Sequence, residues 1–593
     1  MAYQAPVNDI LFALRSAGGL DQLIENGVYE GLDLDTVEAV LSEAGRFAGE
    51  VLEPLNRPGD RQGSKLVDGT VVTPDGWGEA YRQFTEAGWS ALPCPEEFGG
   101  QGLPGIVSSA VCELWNASNL AFGLCPLLTQ GAIDAIHIGG SEDLKARFLP
   151  KLVSGAWTGT MNLTEPQAGS DLALLKSRAV PQGDGTYRIF GTKIFITYGD
   201  HEMVENIVHL VLARLPDAPE GTRGISLFLV PKLMVNADGS LGSRNDVVCG
   251  GLEDKIGIHA SPTCVMNFGE KDGAVGYLVG EENKGLATMF IMMNAARLAV
   301  GVQGVAIADR ATQRAIAYAN ERRQGRSMGG GEGPVQIVEH ADVRRMLVTM
   351  QAMTQAARAI CLVTAREADL AQRASDAEAR QQAQARAALL TPVAKAFSTD
   401  IGCEVASMGV QVHGGMGFVE ETGAAQYYRD ARILPIYEGT NGIQAIDLVA
   451  RKLPLGDGKV LRCYLQDLGA IVKDVRESNR PEFGHMGERL GEALAALGEA
   501  SMWIGEQLKK NPEAVLAGAS PYLRLFGITA GGCYLAQGAL LAARDGVETD
   551  AARYVGLARF FAENMAVAAP GLAQSVMGGA DSLMSIPTSR LSI

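Results

Sequence analysis

The sequence predicts a mainly α-helical protein with a β domain in its middle and an additional helical domain at its C-terminal end. Its 593 residues exceed what one hydrophobic core holds, so several domains are expected. Apolar residues recur at helical spacing on both sides of a central β-rich stretch, which separates two kinds of structure along the chain. We expect an N-terminal helical domain at 1–156, a middle β domain at 157–281, a helical bundle at 282–455 and a further helical domain at 456–593.

The N-terminal helical region is defined first by the stretch from Asp35 to Val51. Asp35 and Glu38 fit a capping box, in which side chains satisfy the free amides at the start of a helix. Apolar residues then recur from Val40 onward at the spacing of one helix face. The same pattern continues to about Trp157, so the whole region is expected to be helical.

The middle region has the pattern of β structure. Tyr187 to Thr197 follows an Asp-Gly turn, and His209 to Leu215 and Gly224 to Pro231 are short β-rich runs that end at turn or proline signals. Such short strands at close intervals predict a compact β domain.

Helical patterning returns after Gly285. No proline occurs from Met289 to Arg323, as one long helix requires. A stripe from Met346 to Ile360 alternates steps of four and three residues, which favours a bundle core over a cofactor contact. Thr391 as an N-cap and Pro392 at the first helical position predict that another helix starts there.

The C-terminal region beyond Gly456 is rich in alanine, leucine and glycine. Its most apolar stretch, Leu525 to Ala543, is interrupted by Gly527, Gly531, Gly532 and Gln537 and is flanked by charges. These features favour a helix that packs closely in a bundle, and a membrane span is the weaker alternative.

Composition excludes several classes of function. A net charge of −17 and a pI near 5.0 argue against a nucleic-acid partner. Nine cysteines without a CxxC pair indicate reduced, mostly buried thiols, and the N-terminus lacks a secretory pattern, so we expect a cytoplasmic protein. No metal-ligand spacing and no Walker loop occurs in the sequence. The strings GQGLPG at 100–105 and GRSMG at 325–329 match GxGxxG and GxSxG by letter, but neither follows a predicted strand, as a functional motif of either kind requires. We therefore expect no metal site, and any nucleotide cofactor must be held without the usual glycine fingerprint.

Glu438 is the carboxylate whose setting best suits a general base. It stands within YRDARILPIYEGTNGIQ, residues 428–444, three positions after Pro435 and directly before Gly439. The proline interrupts helical continuation and the glycine frees the backbone, so the side chain can project from a turn into a cavity. A solvated surface glutamate is the alternative, and it is the commoner fate of a single Glu.

Four motifs in a fixed order resemble landmarks of the acyl-CoA dehydrogenase family. They are NLTEPQAGSD at 162–171, KIFITYG at 193–199, QVHGG at 411–415 and IYEGTN at 436–441. Four ordered motifs are far more specific than any one alone. The resemblance covers roughly residues 30 to 455, and the length and C-terminal tail are similar to those of a long bacterial subgroup. It implies an N-terminal helical domain, a β-barrel middle domain and a C-terminal four-helix bundle.

The resemblance also implies FAD as the cofactor. The family's flavin-contacting positions correspond here to Met161, Leu163, Thr164, Ser170, Phe195, Thr197 and Thr440. The positions that reach the adenosine half, commonly from a neighbouring subunit, correspond to Arg322, Gln411, Gly414 and Gly415. Turn chemistry at Thr164 and Ser170 and a simple helix-to-helix turn at the two glycines are the alternative interpretations.

The implied reaction is α,β-dehydrogenation of an acyl-CoA thioester to the trans-2-enoyl-CoA. Glu438 corresponds to the base, flavin N5 accepts the hydride, and Ser170, Asn294, Arg297 and Gly439 correspond to substrate-binding positions. The expected substrate is 3-methylmercaptopropionyl-CoA or a fatty acyl-CoA in β-oxidation. The expected partners are a second subunit in a homodimer and an electron-transfer flavoprotein. An oxygen-dependent acyl-CoA oxidase and a non-catalytic flavin or acyl-CoA binding scaffold are the alternatives.

The sequence departs from the family pattern near the adenosine positions. Gln324-Gly325 replaces Phe-Gly after the arginine, an inserted glycine loop follows at 329–333, and Ala341 and Gly442 each replace a frequent glutamine. These changes bear on the detailed adenosine contacts. Some family members carry the base near Asn294 to Arg297, but that stretch contains no carboxylate here, so Glu438 is the family-compatible candidate.

Overall fold

The structure is a computed structural model that describes residues 3–326, 333–544 and 550–591. The α-helices within these residues are Val7–Ser16, Leu20–Glu25, Leu34–Phe47, Glu53–Gln62, Trp77–Glu86, Gly105–Ser118, Leu120–Gly139, Glu142–Val153, Gly285–Glu321, Ala341–Arg373, Ala377–His413, Gly415–Phe418, Ala424–Ala431, Asn441–Asp447, Lys459–Glu477, Met486–Gln507, Pro512–Ala517, Ala519–Ala542, Ala551–Asn564, Ala569–Gly578 and Ala580–Met584. The strands are β1 Lys65–Val67, β2 Thr70–Val72, β3 Trp157–Asn162, β4 Arg178–Pro181, β5 Thr186–Thr197, β6 Asn206–Ala213, β7 Ser226–Pro231, β8 Leu233–Val235, β9 Leu241–Arg244, β10 Val247–Leu252, β11 Thr263–Phe268 and β12 Ala274–Val279.

The chain divides into two compact units. The β unit comprises Arg46–Pro104 and Ser118–Ala296, and the helical unit comprises Met1–Gly45, Gly105–Ala117 and Arg297–Ile593. All strands of the described residues lie in the β unit, which confirms a mainly α architecture with a central β domain. The predicted N-terminal range 1–156 contributes to both units, and the four domain boundaries stay predictions.

The β unit is built on one mixed sheet. Its strand order is β10-β11-β5-β12-β7-β6-β3, β4 also pairs with β5, and β3 runs parallel to β6. A bridge joins Arg178 of β4 to Arg214 just after β6, where the Ala179 amide donates to the Arg214 carbonyl at 2.8 Å. Strands β5, β12, β7, β6 and β4 therefore close into the small barrel that was expected.

The core of the β unit lies on both sides of its central strands. Every residue of β6 and β7 is buried, as in strands that are covered on both faces. One apolar cluster joins β3 to the helices Leu120–Gly139 and Glu142–Val153. The three predicted strands are confirmed, with ends that differ from the predicted ends by up to three residues.

The start of the helix predicted at Asp35 differs in detail. The helix begins at Leu34, and Asp33 rather than Asp35 accepts the Thr36 amide, at 2.7 Å. Asp33 lies at the N-cap, where the backbone is not yet helical and the carboxylate can reach a free amide of the first turn, so the predicted capping box was two residues too late. The helix then passes through a wider turn at Ala48–Leu52 before Glu53–Gln62.

The helical unit contains the bundle expected from the methionine stripe. Met350, Met353 and Ile360 are buried in the helix Ala341–Arg373, which confirms their role in the core. The helix start predicted at Thr391 was wrong, because Pro392 lies inside the continuous helix Ala377–His413. Burial of the residues around Pro392 outweighs the one backbone hydrogen bond that a proline removes.

The C-terminal residues add a closely packed helix, Ala519–Ala542. A β-carbon at Gly527 would stand 2.3 Å from the ring of Phe397, and one at Gly531 would stand 2.9 Å from Ala356. This helix is one of four in the described residues that are long and apolar enough to cross a membrane, and 78% of its apolar window is buried inside the protein. It is therefore a bundle helix with small residues at its contacts, as predicted.

The nine cysteines are free thiols.

Candidate active site

Glu438 lies on a turn whose backbone is held in an unusual conformation. Its φ is +57° and that of Gly439 is +85°, so two successive residues are left-handed. For a residue with a side chain this conformation costs about 1 to 3 kcal/mol, and it persists only where the surroundings enforce it. The Asn441 amide donates to the Pro435 carbonyl at 2.9 Å and closes the turn. The backbone freedom predicted for Gly439 is therefore needed at Glu438 as well.

Side chains from two helices hold the carbonyl groups of this turn. Arg297 Nε donates to the Glu438 carbonyl at 3.3 Å, and Gln444 Nε2 lies 3.3 Å from the carbonyls of both Glu438 and Gly439. Thr440 caps the helix Asn441–Asp447, where its hydroxyl accepts the Ile443 amide at 3.3 Å. Arg297, predicted on the substrate side, is therefore in place beside the candidate base.

The Glu438 side chain is partly buried and carries a perturbed proton affinity. Burial raises the pKa of its carboxyl from 4.5 to about 7, while the positive charges of Arg297 and Lys395 act in the opposite direction. A pKa near the working pH is what an efficient general base requires. These properties do not match those of a solvated surface glutamate, which was the alternative interpretation.

Tyr437 begins a chain of buried hydrogen bonds that the sequence analysis missed. Its hydroxyl donates to Gln303 Oε1, Gln303 Nε2 donates to Asn116 Oδ1 at 3.2 Å, and Asn116 Nδ2 donates to the Cys112 carbonyl at 2.8 Å. Gln303 is fully buried, so its amide needs these partners. The polar residues stand among small and apolar residues on two helices, and their spacing gives no sign that they meet.

The predicted flavin residues of the β unit lie on β3, the loop after it and β5. A buried ion pair joins the two motifs, since Lys193 Nζ lies 2.8 Å from Glu165 Oε1 and 3.1 Å from the Leu163 carbonyl. The Ile194 amide also donates to the Thr164 carbonyl at 2.9 Å. These contacts bring the predicted flavin residues of β3, the following loop and β5 onto one part of the β unit. They are Met161, Leu163, Thr164, Ser170, Phe195 and Thr197.

These residues fit a bound flavin. Phe195 has φ +61° and is 58% exposed, and it lies near the end of β5 at a register shift between β5 and β11. Open space lies beside Gly169, where no atom comes within 4 Å of a β-carbon position. An exposed ring next to the partly buried hydroxyls of Thr164 and Thr197 is the kind of surface that a flat cofactor with polar edges can cover.

The predicted adenosine residues of the helical unit lie at two helix ends. Tyr318 stacks on His413 with ring centroids 4.4 Å apart, which places the end of Gly285–Glu321 beside the end of Ala377–His413. Arg322 and Gln411 are exposed, and open space lies beside Gly414 and Gly415. These four residues can therefore reach a ligand.

Arg322, the inserted glycine loop and Asn294 are placed less favourably or lie mostly outside the described residues. Arg322 already bonds Gln324 Oε1 at 3.1 Å, and of the inserted glycine loop at 329–333 only Gly333 belongs to the described residues. Asn294 is exposed and belongs to the part of its helix in the β unit. Its substrate-side role stays a prediction.

Comparison with known proteins agrees with this architecture. Residues 35–156, 160–270 and 283–453 match the family models described as the N-terminal, middle and C-terminal domains of acyl-CoA dehydrogenase. Residues 464–587 match the model described as "Acetyl-CoA dehydrogenase C-terminal like". The models together span most of the chain, including its C-terminal extension.

Named relatives cover nearly the whole chain. The chain is 50% identical to 3-methylmercaptopropionyl-CoA dehydrogenase of Ruegeria pomeroyi over 91% of its own length and 92% of that protein. It is 34% identical to a butyryl-CoA dehydrogenase of Syntrophomonas wolfei, over 95% of each chain. An acyl-CoA dehydrogenase of Bacillus anthracis complexed with FAD has the same fold, with a TM-score of 0.76, 21% identity and coverage of 93% of this chain and 89% of that one.

Proposed function

The chain belongs to the acyl-CoA dehydrogenase family, and from that membership we propose that it oxidises 3-methylmercaptopropionyl-CoA with Glu438 as the base. The reaction is the FAD-dependent dehydrogenation of an acyl-CoA thioester to the trans-2-enoyl-CoA. The observation that carries the choice of substrate is the 50% identity to the Ruegeria pomeroyi enzyme over almost the full length of both chains.

Glu438 removes the proton from Cα of the thioester. Its raised pKa, about 7, lets the carboxylate accept a proton near neutral pH without holding it too tightly. Within the described residues the Glu438 amide donates no hydrogen bond, so it can donate to the thioester oxygen as negative charge develops there. Arg297 and Gln444 keep the turn in the conformation that presents both groups.

The residues proposed to hold the cofactor form a flavin group and an adenosine group. The residues that would contact the flavin are Met161, Leu163, Thr164, Ser170, Phe195, Thr197 and Thr440. Those that would contact the adenosine half are Arg322, Gln411, Gly414 and Gly415. When bound, FAD supplies the acceptor for the hydride that leaves Cβ. The buried pair of Glu165 and Lys193 keeps the loop of residues 162–171 against β5, so that its hydroxyls and amides are ordered before a ligand arrives.

Substrate choice is tested with a matched pair of thioesters. Pentanoyl-CoA differs from 3-methylmercaptopropionyl-CoA only by a methylene in place of sulfur, so a comparison of kcat/KM isolates recognition of the thioether. We expect the thioether substrate to have the higher kcat/KM, by less than the roughly 10- to 200-fold that an extra or missing methylene supplies, because sulfur and methylene are nearly isosteric. Equal or reversed values, with butyryl-CoA best, would favour the second candidate, a short-chain fatty acyl-CoA, which the similarity to the Syntrophomonas wolfei enzyme supports.

The electron acceptor is proposed to be an electron-transfer flavoprotein. Measuring peroxide during turnover in air, without any added acceptor, separates this proposal from an oxidase, because an oxidase releases one peroxide per enoyl-CoA. The cytoplasmic location expected from the sequence stays a prediction.

The active form is proposed to be a homodimer. Met416, Phe418 and Val419 follow the predicted adenosine residues, and 90% of the Phe418 side chain is exposed. A partner subunit seated there would cover this apolar surface close to Gly414 and Gly415. We expect sedimentation of the purified protein at the mass of a dimer and dissociation to a monomer in Phe418→Glu. A tetramer, or a dimer that Phe418→Glu leaves unchanged, would contradict this interface.

A further inference from the structure

Lys395 is a fully buried lysine to which neither the sequence motifs nor the proposed reaction gives a role. It lies on the helix Ala377–His413, and its Nζ donates to Asn441 Oδ1 at 2.9 Å. Within the described residues this is its one hydrogen bond, although an ammonium group has three N–H donors. A buried ammonium with a single neutral partner is costly, so it needs a compensating negative charge nearby.

Asn441 connects this lysine to the turn that carries Glu438. Its side-chain amide donates to the Ala396 carbonyl at 3.1 Å, to Thr399 Oγ1 at 2.9 Å and to Asp400 Oδ1 at 2.7 Å. Its backbone amide closes the turn onto Pro435. The helix that contains Lys395 therefore forms several hydrogen bonds to Asn441, the residue that closes the left-handed turn.

The charges around Lys395 come from several elements. Glu438 and Asp400 favour its charged form, while burial and Arg297 oppose it, and the pKa of Lys395 falls to about 7. The thiol of Cys403 also faces it. Glu438 is thus the first of the groups that stabilise the ammonium.

The charged neighbours of Lys395 have charged groups of both signs around them. Arg297 faces Asp447 and Arg451 as well as Glu438. Asp400 faces Arg524 and Glu404, whose side chains pair at 2.7 Å and 2.9 Å. The phenol of Tyr437 is buried and stays protonated, because burial and Glu438 raise its pKa far above 10. Among the described residues, no carboxylate lies within hydrogen-bonding distance of the Lys395 ammonium, which donates to Asn441.

We infer that Lys395 is a positioning residue of the reaction, which orders the Glu438 turn through Asn441 and sets, by its buried charge, the pH range in which Glu438 accepts a proton. This inference rests on the proposed role of Glu438. Loss of the positive charge makes the ionised carboxylate less favourable, so the titration of Glu438 moves to higher pH. Loss of the hydrogen bond alone loosens the turn and leaves the titration nearly unchanged.

The test is a direct titration of the Glu438 carboxyl in the holoenzyme. The carboxylic C=O infrared band is followed against pH, and subtraction of the Glu438→Gln spectrum isolates this one group from the other buried acids. Lys395→Met removes the charge and the hydrogen bond, Lys395→Gln removes the charge but retains an N–H donor, and Lys395→Arg retains the charge. Lys473→Met removes a charge from an exposed site and is the matched control.

We expect the midpoint to rise by about 1 pH unit or more in Lys395→Met and Lys395→Gln, the size of shift that one nearby opposite charge produces. The acid limb of kcat/KM should move with it, while Lys395→Arg and Lys473→Met keep the wild-type midpoint. An unchanged midpoint in a folded Lys395→Met or Lys395→Gln would overturn the inference and leave Lys395 a purely structural residue.

The two proposals fail in different ways. If Glu438→Gln retains full activity, the base role of Glu438 is wrong, yet the infrared midpoint still reports whether Lys395 controls this carboxyl. If Glu438→Gln is inactive and the midpoint does not respond to Lys395, the base role stands and the inference about Lys395 is wrong.

Discussion

Glu438→Gln is expected to lose about 10²- to 10⁴-fold in kcat/KM, the usual contribution of a positioned general base. Glutamine has nearly the same shape, so it fits the turn but cannot accept the α proton. Binding of the thioester, followed by the change in flavin absorbance, should persist. The measurement is steady-state kinetics with the preferred thioester, and Glu477→Gln at an exposed site is the control.

The pH dependence of the wild-type enzyme follows from the same carboxyl. Its pKa of about 7 means that kcat/KM should rise with pH through this value and reach a plateau above it, because only the ionised form is a base. The raised pKa also sets a sign for stability. The contribution of Glu438 is fully present below its unfolded pKa near 4.5 and is lost as pH rises through about 7.

Glu438→Gln removes an ionisable group whose charged form is unfavourable in the fold. The variant should therefore unfold at the same or a higher temperature than the wild type at pH 8. An inactive variant that is also strongly destabilised would show that its inactivity comes from unfolding. A variant with near-normal activity would assign the base to another residue.

Much of the candidate site could be predicted because its residues are close together in the sequence. Glu438, Gly439 and Thr440 form one short motif, and proline and glycine mark a turn whatever the rest of the chain does. The motif cannot reveal that Glu438 itself is left-handed, since its turn is held by Arg297, 141 residues earlier, as well as by Gln444 in the helix that follows. Local chemistry therefore predicts the candidate, and tertiary contacts decide its exact conformation.

Lys395 shows what sequence patterns cannot reach. A lysine in a helix is ordinarily assigned to the surface, and nothing within one turn of it in the sequence indicates that its ammonium meets Asn441, 46 residues later. The same limit explains the error at Thr391 and Pro392, where a local start signal was overridden by burial of the whole helix. The strands β5, β6 and β7 were predicted because β-rich composition and turn residues are local properties.

The ion pair between Glu165 and Lys193 is the buried contact whose loss we expect to be most damaging to the β unit. The two side chains are 4% and 0% exposed, and their charged atoms lie 2.8 Å apart. Glu165 also accepts the amides of Lys176 at 2.8 Å and Ser177 at 3.0 Å. The pair thus fastens the loop of residues 162–171 to β5.

Lys193→Met is expected to destabilise the β unit by about 3 to 5 kcal/mol, because it leaves a buried carboxylate without its cation. The loop that holds the predicted flavin residues should loosen as well, so purified protein should carry less FAD. Calorimetry and the ratio of flavin to protein absorbance measure the two effects. Lys145→Met breaks an exposed pair with Glu142 and should change stability by less than about 1 kcal/mol.

The pH dependence of stability gives a second measurement of the same pair. Burial acts to raise the pKa of Glu165, but Lys193 and the hydrogen bonds hold it at about 2, below the ordinary 4.5. A lowered carboxyl pKa stabilises the fold above pH 4.5, and this stabilisation is lost as pH falls through about 2. Lys193→Met should shift acid unfolding to higher pH, whereas the wild-type acid limb should persist in Lys145→Met.

The double variant Glu165→Leu with Lys193→Met decides whether the pair serves stability or order. Two apolar side chains leave no buried charge, so most of the lost stability should return. The Lys176 and Ser177 amides, however, lose their acceptor, and the backbone bond from Ile194 to Thr164 is left as the polar contact between the loop and β5 near this point. We therefore expect FAD retention to stay low while the melting temperature recovers. Recovery of both would mean that the loop needs only a filled core, and recovery of neither would mean that the hydrogen bonds outweigh the ion pair.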